Sequence, residues 1–167
     1  MRKLALLAGG ALLLAACSGS PEQPFTVADI SVEADLSAVG SRQAVSYWQG
    51  LSSDLETAIA SEFVGRIDPA GNSIVVDVDE ISLSSPFSSS ATAQTAVLSG
   101  RVELLNPAGT REAAYDVTAS AQDVQDFLPV GTDITSVPPT SAEYYAAVVQ
   151  AFARGTRLAL DAATAES

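Results

Sequence analysis

Apolar residues recur every three or four positions over two long stretches of this chain and every second position over several short ones. That change of period limits the fold more than any other feature. Val45, Trp48, Leu51, Leu55, Ile59 and Phe63 form one stripe of a helix expected over 42–64. Ser41 is placed to cap its start and Gly65 to end it. Gly50, inside the stretch, costs about 1 kcal/mol relative to alanine. Tyr145, Val148, Val149, Phe152, Thr156, Ala159 and Leu160 mark a second helix running to about 162, and the capping-box sequence Thr140–Glu143 opens it.

The short periods read as strands. Ile30, Val32, Ala34 and Leu36 alternate with Ser31, Glu33, Asp35 and Ser37, which gives one dry and one wet face. Ile74, Val76 and Val78 share a face, and Ile81 and Leu83 carry the opposite parity. A β-bulge near Asp79–Glu80 is expected to absorb that slip. Ala96, Leu98, Val102 and Leu104, then Ala113, Tyr115, Val117 and Ala119, flank the turn sequence 106–110 as a hairpin. Ser120 and Asp123 suit the start of a short helical piece over 120–128, and 129–139 is irregular. The order is strand, helix, strand, strand, strand, helix. It predicts an α+β fold over 25–167 as a single domain: a mostly antiparallel sheet of about four strands, with both long helices on one face.

Charge and composition remove several classes of function. Twenty acids stand against eight bases, a net charge of −12, and there is no histidine. No row of cations exists to hold phosphates, which argues against nucleic acid. The commonest general base and metal ligand is missing. The one lysine is Lys3, so neither a serine–histidine nor a serine–lysine nucleophile can be assembled in the folded part. No glycine-rich phosphate loop occurs.

The N-terminus is built differently. Arg2 and Lys3 precede the apolar run Leu4–Leu14, which is followed by Ala15, Ala16 and Cys17, the only cysteine. The run is short of the roughly 20 residues that span a bilayer and fits a secretory signal segment, 1–16. Ser18–Pro24 reads as a flexible tether, so 17–24 links the cysteine to the domain. Leu14-Ala15-Ala16-Cys17 resembles the lipobox of bacterial lipoproteins. That resemblance implies a diacylglycerol on the Cys17 thiol, cleavage just before Cys17, an acyl chain on the new amino group, and no other cofactor. It also implies, from Ser18, an address at the outer membrane facing the periplasm. Two or three acyl chains hold a protein at a membrane lastingly, where one does not. Cleavage leaves six bases against twenty acids, a net charge of −14. The element order of the folded part resembles small α+β envelope lipoproteins of the lipopolysaccharide-assembly and transport-auxiliary kinds. No motif residue matches, so no binding residue is carried over.

Few residues carry candidate chemistry. Asp77 and Asp79 share one strand face and adjoin Glu80. They are either weak metal or acid–base candidates or a solvated face, and the absence of a glycine-framed calcium loop favours the latter. Asp123, Asp126 and Asp133 form a second acidic set. Arg154 and Arg157 lie one turn apart, placed either to share an anion or to favour a helix C-terminus. Of the pairs Tyr47-Trp48 and Tyr144-Tyr145, the stripe turns Trp48 and Tyr145 inward. Tyr47 and Tyr144 are left at its border as partner-contact candidates. The irregular stretch 127–139 is unusually apolar, with Phe127, Leu128 and Ile134, and covers either its own domain or a partner.

Three functions fit. The preferred one is a lipid-anchored, non-catalytic envelope module that binds another envelope protein. A lipid or small-ligand carrier is the alternative, and a carboxylate-dependent hydrolase is the third. Replacing Cys17 by serine is expected to abolish palmitate labelling and to accumulate uncleaved precursor. Labelling or processing that persists in Cys17→Ser would refute the N-terminal assignment.

Overall fold

The computed structural model describes residues 25–37 and 39–165, the side chains of 163–165 excepted; the expected signal segment, Cys17 and the tether lie outside these. The described elements follow the expected order. They are β1 (Val27–Glu33), α1 (Arg42–Trp48), α2 (Leu51–Glu62), β2 (Asn72–Val78), α3 (Glu80–Ser84), β3 (Leu98–Leu105), β4 (Arg111–Ala119), α4 (Ala121–Gln125) and α5 (Ala142–Ala165), with short 3-10 turns at Ser85–Phe87 and Ile134–Ser136. The protein is α+β, with helices packed on a four-stranded sheet of order β1-β2-β3-β4. β1 runs parallel to β2, and the β2–β3 and β3–β4 pairs are antiparallel.

Each strand buries one face. Val32, Ile74, Val76, Val78, Leu98, Val102, Leu104, Val117 and Ala119 point into a core closed by Leu51, Leu55 and Ile59 of α2 and by Val148, Phe152 and Leu160 of α5. The two long helices pack against each other; α2 lies against β1, and α5 against β3 and β4. Full burial of such an aliphatic side chain contributes about 1.5–3 kcal/mol, so this one shared layer dominates stability.

Three local expectations are corrected. The helix expected over 42–64 is broken at Gln49–Gly50 into α1 and α2, although its apolar stripe continues across the break. Gly50 precedes α2 with φ −100° and ψ 0°, and glycine's poor helix propensity favours a break at this point. No bulge forms near Asp79–Glu80. The strand ends at Val78, and Asp79 caps α3 by accepting from Ile81 N–H at 2.9 Å. The phase slip was therefore a change of element: Ile81 is 81 % exposed while Leu83 is buried. The cap of α5 sits one residue later than expected, where Ser141 Oγ accepts from Tyr144 N–H at 3.1 Å. Ser120 and Asp123 do form the expected capping box of α4. In the 106–110 turn, Asn106 Oδ1 accepts from Ala108 and Thr110 N–H.

Two polar ties close the ends of the helical layer. Buried Trp48 donates its indole N–H to Leu83 O at 2.8 Å, fixing α1 to α3. At the other end Arg66 lies over the rings of Phe25 and Phe63, 4.4 and 4.9 Å from their centroids. It pairs with Asp161 at 2.6 Å, which also meets Arg157, itself 2.8 Å from Glu62. That chain joins α2 to α5.

β3 crosses β2 closely at Gly100, where an added Cβ would sit 2.6 Å from Asp77 O and 3.2 Å from Val78 Cα. Gly100→Ala is expected to cost about 1–3 kcal/mol, since backbone rather than a flexible side chain must yield. Urea denaturation measures it, and an unchanged midpoint would contradict the packing described.

Candidate functional site

The acids singled out in the sequence lie on the uncovered face of the sheet. Register places Glu33, Asp77, Arg101 and Asp116 in one row across the four strands. Arg101 reaches Asp116 at 3.2 Å and Glu103 at 3.4 Å, and Arg111 reaches Glu103 at 2.8 Å. The hydrogen bond from Arg111, with a smaller contribution from Arg101, holds the Glu103 carboxyl below its ordinary pKa. A shallow hollow of about 470 Å³ lies here, lined by Asp77, Asp79, Ser99, Arg101, Asp116 and Thr118. The arginine sits among the carboxylates. Asp79 is further engaged, capping α3 and accepting from Ser99 Oγ at 3.4 Å. Glu80 lies exposed in the first turn of α3. Among the described residues no three His, Cys, Asp or Glu gather as a metal site. Arg101 stands between Asp77 and Asp116 in the row, so the carboxylates of this solvated face lie around a cation rather than facing each other.

The second acidic set has local duties. Asp123 belongs to the α4 capping box, and hydrogen bonds from Ser120 lower its pKa. Asp133 accepts from Thr135 N–H and Oγ1, which lowers its own. Asp126 pairs with Arg154 at 3.4 Å, and the guanidinium of Arg154 covers the Phe127 ring at 4.5 Å. Arg157 is engaged with Glu62 and Asp161 instead, so the two arginines do not converge on one anion.

Of the partner-contact candidates, Tyr144 is corrected. It is 1 % exposed and donates its hydroxyl to Ala96 O at 2.9 Å. Burial pushes its pKa up to about 12. The most buried line of α5 runs Tyr144, Val148, Phe152, Thr156, Leu160 in steps of four, and Tyr145 takes the border position. There it bonds Asp54 of α2 and is half-buried. Tyr47 is also half-buried. Its hydroxyl donates to Ser141 O at 2.9 Å, with Pro139 O at 3.3 Å, and burial raises its pKa. Its ring meets Trp48, Phe87 and Tyr145 edge-on at centroid distances of 4.6, 5.5 and 5.4 Å.

The stretch 127–139 covers its own domain. Leu128, Ile134 and Val137 are buried, and Phe127 packs against the core. Gln125 clamps the stretch from α4, donating to Thr132 O at 2.8 Å and accepting from Ile134 N–H at 2.9 Å. Only Val130 among its larger apolar residues is fully exposed.

A surface the sequence did not reveal lies along β1. A groove of about 420 Å³ runs between this outer strand and α2, lined by Val27, Ala28, Ile30, Ala60 and Ile67 with Asp29, Glu56 and Thr57. Glu56 Oε1 accepts from Val32 N–H at 3.2 Å. In the sequence Glu56 shows only as an acid flanking a helical stripe; which strand it meets is a matter of tertiary packing.

No family model, curated protein or solved structure matches this chain.

Two substitutions separate structural from solvated groups. Tyr144→Phe strands the Ala96 carbonyl in a dry site and is expected to cost about 1–3 kcal/mol. Asp77→Asn is expected to change stability by no more than about 0.5 kcal/mol. Chemical denaturation of both variants checks this; equal losses would overturn the distinction.

Proposed function

We propose that this protein is a lipid-anchored, non-catalytic module of a bacterial cell envelope that binds another envelope protein, at the outer membrane facing the periplasm. The observation that carries the reading is the lipobox-like sequence Leu14-Ala15-Ala16-Cys17 behind a short apolar run. A diacylglycerol thioether and an N-acyl chain on Cys17 would hold the domain at the bilayer surface. Among the described residues no helix is long and apolar enough to cross a membrane.

The non-catalytic part has support of its own. With no histidine in the chain, acid–base work would fall to carboxylates. Asp77 and Asp116 face solvent in a row shared with Arg101 rather than facing each other across a cleft. The filled interior favours a binding module over a lipid carrier. Trp48, Leu55, Ile59, Ile74, Leu98, Val102, Val148 and Phe152 are each no more than 1 % exposed between sheet and helices, where a carrier would need an open pocket.

Crosslinking in intact envelopes of cells making the native lipidated chain tests the reading. A discrete crosslinked species at fixed mass is expected, lost on Cys17→Ser. Recovery of monomer alone, under conditions that trap other envelope complexes, would sink the partner-binding function.

A further inference from the structure

β1 is an outer strand, and its free side is filled in two different ways. At its start, Val27 N–H donates to Arg66 O at 2.8 Å and Asp68 N–H donates to Val27 O at 2.9 Å. These bonds make a parallel bridge of a single pair, Val27 with Ile67. Past Val27 the register shifts before Asp29, and the bridge is not continued. Further along, Val32 N–H points to the same free side, where it meets the Glu56 carboxylate. Backbone direction alternates along a strand, so the N–H and C=O of Ile30 and the C=O of Val32 face that side too. An edge of this kind is a template for one more strand. The Glu56 carboxylate occupies the place that such a strand's carbonyl would take.

The two sides of this edge differ in chemistry. Towards the helices, a strand laid on β1 would meet Ile30, Ala60 and Ile67, the last 56 % exposed. Towards the uncovered sheet face it would meet Asp29, Ser31 and Glu33, which lie opposite Ser73, Val75 and Asp77 of β2. No ion pair among the described residues includes Asp29, Glu33 or Glu56, whereas Glu62, Glu103, Asp116, Asp126 and Asp161 are all paired. Asp29 and Glu56 line the groove and Glu33 follows Asp29 on the same face of β1, so a segment laid along this edge meets carboxylates without an arginine partner.

We propose that β1 takes up an extended, basic segment of a protein partner as an added strand. Its apolar side chains alternate towards Ile30, Ala60 and Ile67, and its arginine or lysine side chains towards Asp29 and Glu33. The proposal rests on the partner-binding reading and names the chemistry of the partner. A second copy of this chain fits poorly, because its own Asp29 and Glu33 would be set against the same acids, and like charges facing across strands destabilise pairing.

The test uses the full lipidated chain in detergent with a blocked heptapeptide alternating arginine and valine. Fragment-resolved hydrogen exchange is expected to slow over 29–33 and to stay unchanged over the 106–110 turn. Reversing Asp29 and Glu33 together to lysine is expected to weaken binding by about tenfold or more. Reversing Glu112 and Asp116 on β4 supplies a control of equal charge that leaves binding as it was. A peptide alternating arginine with serine should protect weakly if the groove contributes. Protection elsewhere or nowhere, equal protection by the serine peptide, or equal weakening by the β4 pair would each overturn the proposal. So would protection of 29–33 that grows with protein concentration alone, which would assign the edge to a second copy. Envelope crosslinks that survive the β1 charge reversal would leave partner binding standing and remove this site. Absence of any crosslink in the native chain would remove the broader reading instead.

Discussion

Ile74, Val76 and Val78 hold the interior strand β2 beneath the helical layer, and burial on that side alone sets the terms for the rest of the sheet. Both long helices lie on one face, so the opposite face must be stable in water. The ion pairs there do not hold the sheet together. An exposed pair contributes about 0–1 kcal/mol, less than one buried aliphatic side chain. Their role is to let strands rich in acid lie side by side, with Arg101 placed between Glu103 and Asp116 and Arg111 also on Glu103.

Much of this architecture was legible in the sequence because each element exposes one face and buries the other. The phase of Ile74, Val76 and Val78 fixed the inward face of β2, and the steps of Val148, Phe152 and Leu160 fixed that of α5. The misreadings share a cause: a change of geometry that preserves the pattern. The stripe through Trp48 and Leu51 looks continuous, so periodicity cannot register the break at Gly50. A capping aspartate and a bulged strand both shift apolar phase by one, so Asp79 admitted either account. Moving the cap of α5 from Thr140 to Ser141 accompanies the exchange of roles between Tyr144 and Tyr145.

The candidate site was legible only in what it excluded. Composition removed histidine chemistry, and the structure adds that the singled-out acids are spread among helix caps, one ion pair with Arg154 and open solvent. The β1 groove was hidden for a different reason. It is made by residues 27–30, 56, 57, 60 and 67, which no local pattern connects. Its key contact, Glu56 to Val32 N–H, spans 24 positions of sequence.

The mixed topology also sets how much chain each strand pairing must close. β2, β3 and β4 follow one another as antiparallel neighbours, and β3 joins β4 through a tight turn. Pairing β1 with β2 closes a long loop that contains both α1 and α2. Loop closure of that length carries an entropy cost that the pairing must offset. Pairing of β1 therefore closes a longer stretch of chain than any pairing within the meander of β2, β3 and β4.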